Sequence, residues 1–425
     1  MTPADMPLVL GVDLGTSGVR AVLLDSEHRE VGQSSAPMTS GGANPRSPEV
    51  WWSTLVQTLN QLAQAHPEAL SRVQALAVDG TSGTVLAVGE SGAPLAEALM
   101  YNDPVSEAHF LEQIRQAAPR ESAAHGSTSG LAKLLKLQEL PGVHKVLHQA
   151  DWVAGRLLGR FLWSDENNAL KTGYDPISRS WPDWISRTDA HLELLPQVRE
   201  PGSRLGTLDR RWAERFRLSP ETQVVAGSTD GCAAFLATGA SEVGDAVTSL
   251  GSTLVVKLLS QQPIFAPEFG IYSHRLGDQW LAGGASNTGG AVLASLFGTD
   301  ELLELSRQVD PASSTGLDYY PLLRPGERFP VNDPKLLPRL EPRPESNARF
   351  LQGLLESMAR IEAQGYERLR ELGAPALRSI RTVGGGSSNQ AWSTLRQRML
   401  AATFLPVASE EAAAGVARLA WKGIA

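Results

Sequence analysis

Two short turns of this sequence place an aspartate among glycines and hydroxyl side chains, at residues 13–18 (Asp-Leu-Gly-Thr-Ser-Gly) and at residues 227–231 (Gly-Ser-Thr-Asp-Gly). Because glycine adopts backbone angles that a side chain would forbid, the N–H groups of such turns can point at phosphate oxygens. Asp13 ends an apolar run and is placed to hold Mg²⁺ through water, since this hard cation prefers oxygen ligands. An ordinary hairpin is an equal alternative for the first turn. The recurrence of the pattern suggests two related halves that face one nucleotide.

The turns need strands to hold them, and apolar runs of strand length flank them. Residues 8–12 and 19–24 predict a hairpin with the first turn at its tip. Residues 246–250 and 254–258 predict a second hairpin, whose tip at residues 251–253 (Gly-Ser-Thr) is again of the phosphate-binding type. Two such hairpins would grip a triphosphate from opposite sides.

Two glycine-rich stretches in the second half predict further ligand contacts. Residues 283–290 precede an apolar, helix-like segment at 291–297, so glycine backbone and a helix N-terminus would both meet an anion or a ribose. Residues 382–392 end a predicted strand and open a predicted helix, with three consecutive glycines between them. Such a glycine run lets a flat ligand lie against bare backbone.

Seven motifs now stand in order along the chain: residues 13–17, 78–82, 101–103, 227–231, 251–253, 284–290 and 384–392. With them the chain resembles the FGGY carbohydrate kinase family, a member of the actin-like ATPase superfold. The resemblance runs almost from end to end. It implies an α/β fold of two actin-like (ribonuclease H-like) domains, with mixed sheets flanked by helices around a central cleft.

The resemblance also implies transfer of the ATP γ-phosphoryl group to a sugar hydroxyl, with ATP and Mg²⁺ required. Asp230 is the implied catalytic base, and Asp13 the residue beside Mg²⁺, phosphate and sugar. The implied sugar-binding residues are Asp13, Ser17, Gly18, Val19, Arg20 and Asp230. The implied ATP-binding residues are Thr16, Ser252, Gly290, Gly386, Ser387, Ser388, Asn389 and Gln390. A plain Asx turn at Asp230 and a surface charge at Arg20 are the alternatives.

The sugar is the harder question, because the family phosphorylates polyols, pentuloses and hexuloses. The turn at residues 78–82 (Val-Asp-Gly-Thr-Ser) resembles the ribulokinase branch and lacks the Met and His that xylulokinases usually carry there. The chain is also shorter than most of the family and resembles a compact branch of cyanobacteria and plants associated with D-ribulose. The resemblance therefore implies formation of D-ribulose 5-phosphate, with D-xylulose and L-ribulose as alternative acceptors.

Polar residues elsewhere are further candidates for the sugar side. Around Asp103 the sequence departs from the family's aromatic-x-Asp-x-Arg pattern, since Tyr101 replaces tryptophan and Val105 stands where arginine is common. The other candidates are Asn168, Lys171, Tyr174 and Asp175. For them, loop turns and caps are an equal alternative. Two other functional classes stay open: a non-catalytic sugar or nucleotide sensor on the same fold, and an actin-like or heat-shock ATPase that acts on proteins.

Length and composition set limits on these hypotheses. A chain of 425 residues predicts two domains, which we place at residues 1–225 (sugar side and first phosphate turn) and 226–425 (catalytic aspartate and ATP site). A net charge of −8 without a long basic run argues against nucleic acid as a partner. The expected partners are a small sugar and ATP, in a monomer or small homo-oligomer.

Localisation follows from weaker signals. The single cysteine, Cys232, cannot form an internal disulfide, fits a reducing compartment and is expected to be a packing residue. Residues 1–7 contain no apolar core of a cleaved signal, and no apolar run is long enough to span a membrane. A cytoplasmic protein is therefore expected.

Helix signals complete the prediction. Ser47, Pro48 and Glu49 resemble a helix start, and four residues at helical spacing should face a core: Trp51, Leu55, Leu59 and Leu62. Residues 350–369 predict a long amphipathic helix after a proline-rich, extended surface connection at 324–344. A last helix near residues 410–419 is expected, and its domain is left open.

Overall fold

The apolar run that opens the chain forms strand β1 (Leu8–Leu14), every residue of which is buried, in a computed structural model that describes residues 6–424. The other strands of its sheet are β2 (Gly18–Leu24), β3 (Glu30–Pro37), β4 (Val73–Gly80), β9 (Arg204–Thr207) and β10 (Gln223–Thr229). They lie in the order β3–β2–β1–β4–β10–β9, with β1 antiparallel to β2 and parallel to β4, and β4 parallel to β10. The carboxyl ends of β1, β4 and β10 therefore meet at one edge of the sheet.

A second six-stranded sheet repeats this plan. Its strands are β11 (Asp245–Leu250), β12 (Leu254–Ser260), β13 (Tyr272–Leu276), β14 (Gln279–Ser286), β15 (Ser379–Val383) and β16 (Thr403–Phe404), in the order β13–β14–β12–β11–β15–β16. β11 is antiparallel to β12 and parallel to β15, as β1 is to β2 and β4. Both predicted hairpins and the mixed α/β fold with two sheets are confirmed.

The structure corrects how the two acidic turns are related. Residues 227–229 end β10 and residues 230–231 open α8, and β10 belongs to the same sheet as the Asp13 hairpin. The counterpart of the β1–β2 hairpin is β11–β12, with its tip at residues 251–253. An apolar run before an acidic turn identifies a strand, but the sheet that the strand joins depends on pairing with residues far away in the sequence.

Four short strands form two small sheets outside the large ones, β5 (Val85–Val88) with β6 (Lys145–His148) and β7 (Trp163–Asp165) with β8 (Gln197–Arg199). The helices are α1 (Pro48–Ala65), α2 (Pro67–Leu70), α3 (Ala108–Ala117), α4 (Gly130–Leu137), α5 (Gln149–Leu158), α6 (Glu166–Ala169), α7 (Arg210–Phe216), α8 (Asp230–Ala237), α9 (Gly290–Leu296), α10 (Thr299–Gln308), α11 (Asn347–Glu371), α12 (Gln390–Met399) and α13 (Ala412–Lys422).

The predicted helices at residues 48–62 and 350–369 are confirmed as α1 and α11. The four residues expected to face a core, Trp51, Leu55, Leu59 and Leu62, are all buried under the first sheet. α11 begins after Ser346, whose hydroxyl accepts a hydrogen bond from the Arg349 N–H at 3.3 Å. The connection between α10 and α11 carries isolated β-bridges, such as Tyr320 with Arg339.

The end of the chain settles the open question about its last helix. α13 packs on α8 and β1 so closely that a Cβ at Gly415 would lie 1.8 Å from the Ala233 carbonyl oxygen, and a Cβ at Gly11 would lie 1.9 Å from the Ala413 carbonyl oxygen. Glycine is required at both points because any side chain would enter the neighbouring backbone. The C-terminal helix is therefore part of the first sheet's core.

The chain divides into two units at different points from those expected. The first unit takes in the described residues through Gly239, His274–Gly277 and the described residues from Glu411 on, and the second takes in Ala240–Ser273 and Asp278–Glu410. The expected division between 225 and 226 cuts through β10, and it assigns Asp230 and α13 to the second domain. The pairing of β10 with β4 places Asp230 in the first unit, and the packing of α13 on α8 and β1 places the last helix there.

Other expectations concern the surroundings of the fold. Cys232 is buried, as expected of a packing residue. Between residues 6 and 424, none of the helices is long and apolar enough to cross a membrane. Residues 1–5 of the N-terminal segment, where no leader was expected, lie outside the described part of the chain.

Candidate active site

Three aspartates mark the carboxyl edge of the first sheet. Asp13 on β1 lies opposite Asp79 on β4 in the strand register, and Asp230 opens α8 directly after β10. The β4–β10 register shifts between Val225 and Ser228, where a Cβ at Gly227 would stand 1.7 Å from the Val78 carbonyl oxygen. Only glycine permits this close approach, so Gly227 decides how the chain leads from β10 into Asp230.

Asp79 is fully buried and has an unusual environment. Neither of its carboxylate oxygens has a hydrogen-bond donor among the described residues, and the Asp13 carboxylate faces it instead. Burial raises the pKa of Asp79 well above its usual range, and the charges of Asp13 and Asp230 raise it further. The raised pKa favours the protonated form of Asp79, which can donate to the Asp13 carboxylate, whereas two ionised carboxylates have no hydrogen to share.

The pKa of Asp13 is also raised, chiefly by burial, and the guanidinium of Arg20 compensates its carboxylate. Burial raises the pKa of Asp13, while the hydrogen bond from Asp79 and the nearby guanidinium of Arg20 lower it. A guanidinium nitrogen of Arg20 lies 3.5 Å from an Asp13 oxygen, and its Nε lies 3.2 Å from a carboxylate oxygen of Glu411. Glu411 was missed from the sequence because it lies nearly 400 residues away from this edge along the chain.

The tip of the β1–β2 hairpin separates the remaining predicted residues. Thr16 and Ser17 are exposed at the tip, where their hydroxyls are accessible to a ligand. Gly18 and Val19 are buried, and Val19 belongs to the core under the sheet. The Val19 side chain therefore does not reach a ligand, and any contact from this residue would come from its backbone.

The other sugar-side candidates lie on loops and helices of the same unit. Asp103 is held by Arg46, whose second guanidinium nitrogen donates to it at 2.7 Å and whose hydrogen bonds lower the pKa of Asp103. The guanidinium beside Asp103 thus comes from a residue 57 positions earlier in the chain. Lys171 lies beside the turn at residues 80–84, with its Cδ 3.6 Å from the position of a Cβ at Gly83.

Asn168, Tyr174 and Asp175 have local partners in the structure. The Asn168 amide donates to Asp165 at 2.6 Å, Tyr174 is buried with its ring against Trp181, and Asp175 accepts from the Ile177 N–H at 2.9 Å. Burial raises the pKa of Asp165 to about 7. These contacts are those of caps and turns.

The second unit contains a cavity of about 840 Å³. Its walls come from the β11–β12 tip, from α9, α10 and the start of α12, and from the glycine run at residues 384–388. The lining residues are Leu250, Gly251, Ser252, Gly290, Ala291, Leu293, Ala294, Thr299, Leu302, Leu303, Ser306, Arg307, Gly385, Gly386, Ser388, Asn389, Gln390, Ala391 and Trp392.

Six residues of the predicted ATP set line this cavity: Ser252, Gly290, Gly386, Ser388, Asn389 and Gln390. Ser387 lies in the same turn but is not among the lining residues, and Thr16 lies in the first unit. The contribution of α10 was missed. Its apolar side at Leu302 and Leu303 is visible as a helical pattern in the sequence, but nothing local indicates that it faces a ligand.

Asn389 ties the cavity wall together. Its carbonyl oxygen caps α12 by accepting from the Trp392 N–H at 3.0 Å, and its amide nitrogen donates to the Ser306 hydroxyl of α10 at 2.9 Å. A Cβ at Gly386 would lie 2.7 Å from the Trp392 ring. The cavity floor is therefore bare backbone laid over a buried indole, a surface that suits a flat ring.

The start of α9 does not offer the free N–H groups that the sequence suggested. The N–H groups of Gly290 and Ala291 donate to the carbonyl oxygens of Gly251 and Ser252, at 2.8 and 3.1 Å. These bonds fix the β11–β12 tip against α9. The glycines at this point serve packing between two backbones, and the two donors are not available to an anion.

A buried ion pair lies beneath the cavity elements. Arg396 of α12 and Glu362 of α11 are fully buried, with Arg396 Nε donating to Glu362 at 2.6 Å. Arg396 also donates to Thr382 of β15 at 2.8 Å, and Thr248 of β11 donates to Glu362 at 2.5 Å. The network joins the strands that lead into residues 251–253 and 384–388, so the cavity rests on paired charges.

Comparison with known families decides the identity of this fold. The description "FGGY family of carbohydrate kinases, N-terminal domain" matches residues 8–237, and the C-terminal domain of the same family matches residues 246–423. The chain belongs to the FGGY family of carbohydrate kinases. It is an enzyme that binds a sugar and ATP and transfers a phosphoryl group between them, with Mg²⁺ as the family's cation.

Relatives of this FGGY kinase cover nearly the whole chain. The xylulose kinase of Escherichia coli K12 is 26% identical over 91% of this chain and 83% of its own, and that of Streptomyces rubiginosus is 28% identical over 98% and 88%. A crystal structure described as a xyloylose kinase from Brucella ovis has a TM-score of 0.87 at 23% identity, covering 97% of this chain and 90% of its own. That structure shows the shared fold.

The oxygen groups of this FGGY kinase fit Mg²⁺. Asp13 offers a carboxylate at the edge of the first sheet, and hard oxygen donors suit this ion. Between residues 6 and 424, no cluster of three His, Cys, Asp or Glu side chains could hold a metal alone. This donor set fits an ion that keeps water and phosphate oxygens as most of its ligands.

Proposed function

We propose that this FGGY kinase phosphorylates a pentulose, and that its preferred acceptor is D-ribulose, which it converts to D-ribulose 5-phosphate with ATP. The observation that carries the proposal is that three aspartates meet at the edge of the first sheet. Asp230 follows β10 there, beside Asp13 and the buried Asp79, whose pKa is raised. A carboxylate that can accept a proton, next to a second carboxylate that an arginine compensates, is the arrangement that phosphoryl transfer to an alcohol needs.

Asp230 is the proposed general base. Its carboxylate accepts the proton of the sugar hydroxyl as the oxygen bonds to the γ-phosphorus, and the bond to the β–γ bridging oxygen breaks so that ADP leaves with the electron pair. One oxygen of Asp230 accepts from the Gly231 N–H at 2.7 Å, which fixes the carboxylate at the start of α8. The second oxygen is then directed to the acceptor.

Asp13 is the proposed residue for the cation and the sugar. Its charge is buried and balanced by Arg20, so it stays available to a metal-bound water or to an acceptor hydroxyl. When bound, Mg²⁺ offsets the negative charge of the phosphate oxygens. Ser17 and Arg20, at and just after the hairpin tip, are further proposed sugar contacts, with Gly18 and Val19 contributing backbone only.

The cavity of the second unit is the proposed ATP site. Gly386, Ser388, Asn389 and Gln390 would hold adenosine against the bare backbone over Trp392, and the tip at Ser252 would meet phosphate. The volume of about 840 Å³ lies within the range of small-molecule sites. The hydroxyl of Thr16 is a proposed additional phosphate donor.

Two acceptors compete for this proposal. The Gly-Thr-Ser sequence after Asp79, without Met or His, supports D-ribulose. The names of the relatives, xylulose kinases from Escherichia coli and Streptomyces rubiginosus, favour D-xylulose as the second candidate. The two sugars differ in the configuration of one hydroxyl, so the choice depends on the side chains that meet that group.

The test is a coupled ADP-release assay with ATP and Mg²⁺ against D-ribulose, L-ribulose, D-xylulose and glycerol. NMR of the product identifies the phosphorylated carbon. The highest kcat/KM on D-ribulose, with phosphate at C5, is the expected result. A highest kcat/KM on D-xylulose would move the acceptor and keep the mechanism, whereas ATP binding without sugar-dependent ADP release would replace the kinase by the sensor.

A further inference from the structure

A lysine inside the first unit is fully buried and takes no part in the reaction described above. Lys133 lies on α4, and its ammonium donates to the carbonyl oxygen of Gly83 at 2.7 Å and to that of Met100 at 2.6 Å. Burial lowers the pKa of Lys133 to about 8. A buried ammonium is unfavourable unless its hydrogen bonds compensate it, so this contact needs an explanation.

The two carbonyls belong to two different loops. One is the turn at residues 80–84, called here the acceptor turn, and the other is the loop at residues 100–103, called here the tyrosine loop. A second bond joins them, because the Tyr101 N–H donates to the Thr84 hydroxyl at 3.0 Å. Lys133 thus fixes the position of one loop relative to the other.

The acceptor turn begins at the reacting edge. Its first residue, Gly80, lies in register with Leu14 of β1 and with Thr229, the residue before Asp230. Within the turn Thr81, Gly83 and Thr84 are buried, and Ser82 is accessible. In the tyrosine loop Tyr101 is 47% exposed. Through Gly80 the acceptor turn therefore starts beside the strand that carries Asp13 and the strand that leads into Asp230, and the two loops keep partly exposed side chains while their backbones bond to the interior.

The rest of each loop is fixed by other groups. Gln149 accepts from both the N–H and the hydroxyl of Thr81 at 2.9 Å, and Asp103 accepts from the Met100 N–H at 2.7 Å. These bonds hold each loop to its own surroundings. Lys133 and Thr84 make the side-chain links from one loop to the other, and just outside the loops the N–H groups of Val85 and Leu99 donate to each other's carbonyl oxygens at 3.0 and 2.9 Å.

We propose that Lys133 is a positioning residue for the acceptor sugar: it holds the acceptor turn and the tyrosine loop in the one arrangement that selects between isomeric pentuloses. The inference rests on the proposed function, since it takes the edge at Asp13 and Asp230 as the sugar site. Selection between isomers depends on hydroxyl partners placed within fractions of an ångström, and a misplacement of about 1 Å lowers rates roughly a hundredfold.

The test compares Lys133→Met with Lys136→Met. Methionine keeps an unbranched side chain, one atom shorter than that of lysine, and removes every N–H donor. Lys136 is on the same helix, but its ammonium lies near the surface and bonds to Glu107 at 2.8 Å, so its variant is the matched control. The kinetic constants are measured on the sugar that the wild-type enzyme phosphorylates best, and on its isomers.

In the Lys133→Met enzyme the KM for the sugar is expected to rise roughly tenfold or more. Its preference between D-ribulose and D-xylulose is expected to fall, with the KM for ATP unchanged. Lys136→Met should match the wild type. A merely structural lysine would lower the melting temperature and leave sugar KM and preference as they are, and that result would overturn the inference.

A milder variant covers the case in which Lys133→Met does not fold. Thr84→Val removes the second side-chain link between the loops, and it should raise the sugar KM and reduce the preference by a smaller factor. An unchanged preference in folded Thr84→Val would then count against the inference. The wild-type arm is separate: no turnover on any sugar would overturn the proposed function, and the inference with it.

Discussion

At the carboxyl edge of the first sheet, burial and neighbouring carboxylates raise the pKa values of Asp13 and Asp79, whereas the cavity of the second unit is lined by glycines, hydroxyls, amides and apolar side chains. Arg307 is the only charge among the described residues that line this cavity, and it pairs with Glu304 at 3.1 Å. In the second unit a fully buried ion pair, Glu362–Arg396, lies below the cavity.

The difference agrees with the role that we propose for each region. A site that removes a proton needs titratable groups whose pKa values are set by burial and by one another. A site that holds a large anion on a protein of net charge −8 gains more from backbone N–H groups and shape than from further carboxylates. In the first unit the buried carboxylates are the groups that we propose to take part in the reaction. In the second unit the fully buried ion pair, Glu362–Arg396, stabilises the fold beneath the cavity.

The largest expected effect removes the charge of the base. Asp230→Asn keeps the shape of the side chain, and kcat should fall by about 10²- to 10⁴-fold because no carboxylate accepts the hydroxyl proton. The KM for ATP should stay unchanged, as measured by the coupled assay. Asp209→Asn, which keeps a capping side chain at the start of α7, is the control. A loss below tenfold would remove Asp230 from the role of base.

The next variant breaks the buried Glu362–Arg396 ion pair of the second unit. Arg396→Met leaves Glu362 buried and unpaired, so the free energy of unfolding should fall by about 3–5 kcal/mol in denaturant titrations. The double variant Glu362→Leu/Arg396→Met should be less damaged, because it leaves no buried charge. Arg370→Met, which removes an exposed partner of Glu367 on α11, should change little. Equal losses for Arg370 and Arg396 would show that burial is not what matters.

A third variant fills the floor of the cavity. In Gly386→Ala the new Cβ meets the Trp392 ring at 2.7 Å and the Leu250 side chain at 2.8 Å, so the backbone of the glycine turn must shift. Overpacking strains the turn that we propose to hold adenosine, so the KM for ATP should rise roughly 5- to 150-fold. Gly298→Ala has open space at its Cβ and is the control. An unchanged ATP KM would mean that adenosine lies elsewhere.

The smallest effect concerns the neutral acid. Because the pKa of Asp79 is raised in the folded protein, its proton stabilises the fold at low pH, and that contribution is lost as the pH rises from about 4 through the folded pKa. Asp79→Asn mimics the protonated form at every pH. Wild type should therefore lose stability relative to this variant as the pH increases, in unfolding curves measured from pH 4 to 8. A constant difference would mean that Asp79 is ionised throughout.

Local patterns were enough to predict much of this fold. Both hairpins, α1 and α11 follow from apolar spacing, from turn residues and from helix-start signals, all of which lie within a few residues of each other. The glycine run at 384–386 was recognised for the same reason. Six of the predicted ATP residues line the cavity because their motif is a continuous stretch of chain or a hairpin tip.

The remainder depends on pairs that are distant in the sequence. Glu411 pairs with Arg20, Arg46 bonds to Asp103, and Lys133 joins two loops. No spacing in the sequence indicates these contacts. The membership of β10 in the first sheet likewise depends on pairing with β4. The state of Asp79 was not predictable, because a pKa depends on burial and neighbouring charge rather than on residue type.

The packing of α13 on α8 and β1 has a consequence for how the chain is made. A ribosome releases residues in order, and the second unit, which ends at Glu410, leaves it before the last helix does. The first unit begins earlier yet stays incomplete until α13 covers Gly11 and docks on Ala233. During synthesis the unit that contains the cavity can thus be complete before α13 is made, and the unit with the three aspartates closes its core only when α13 docks.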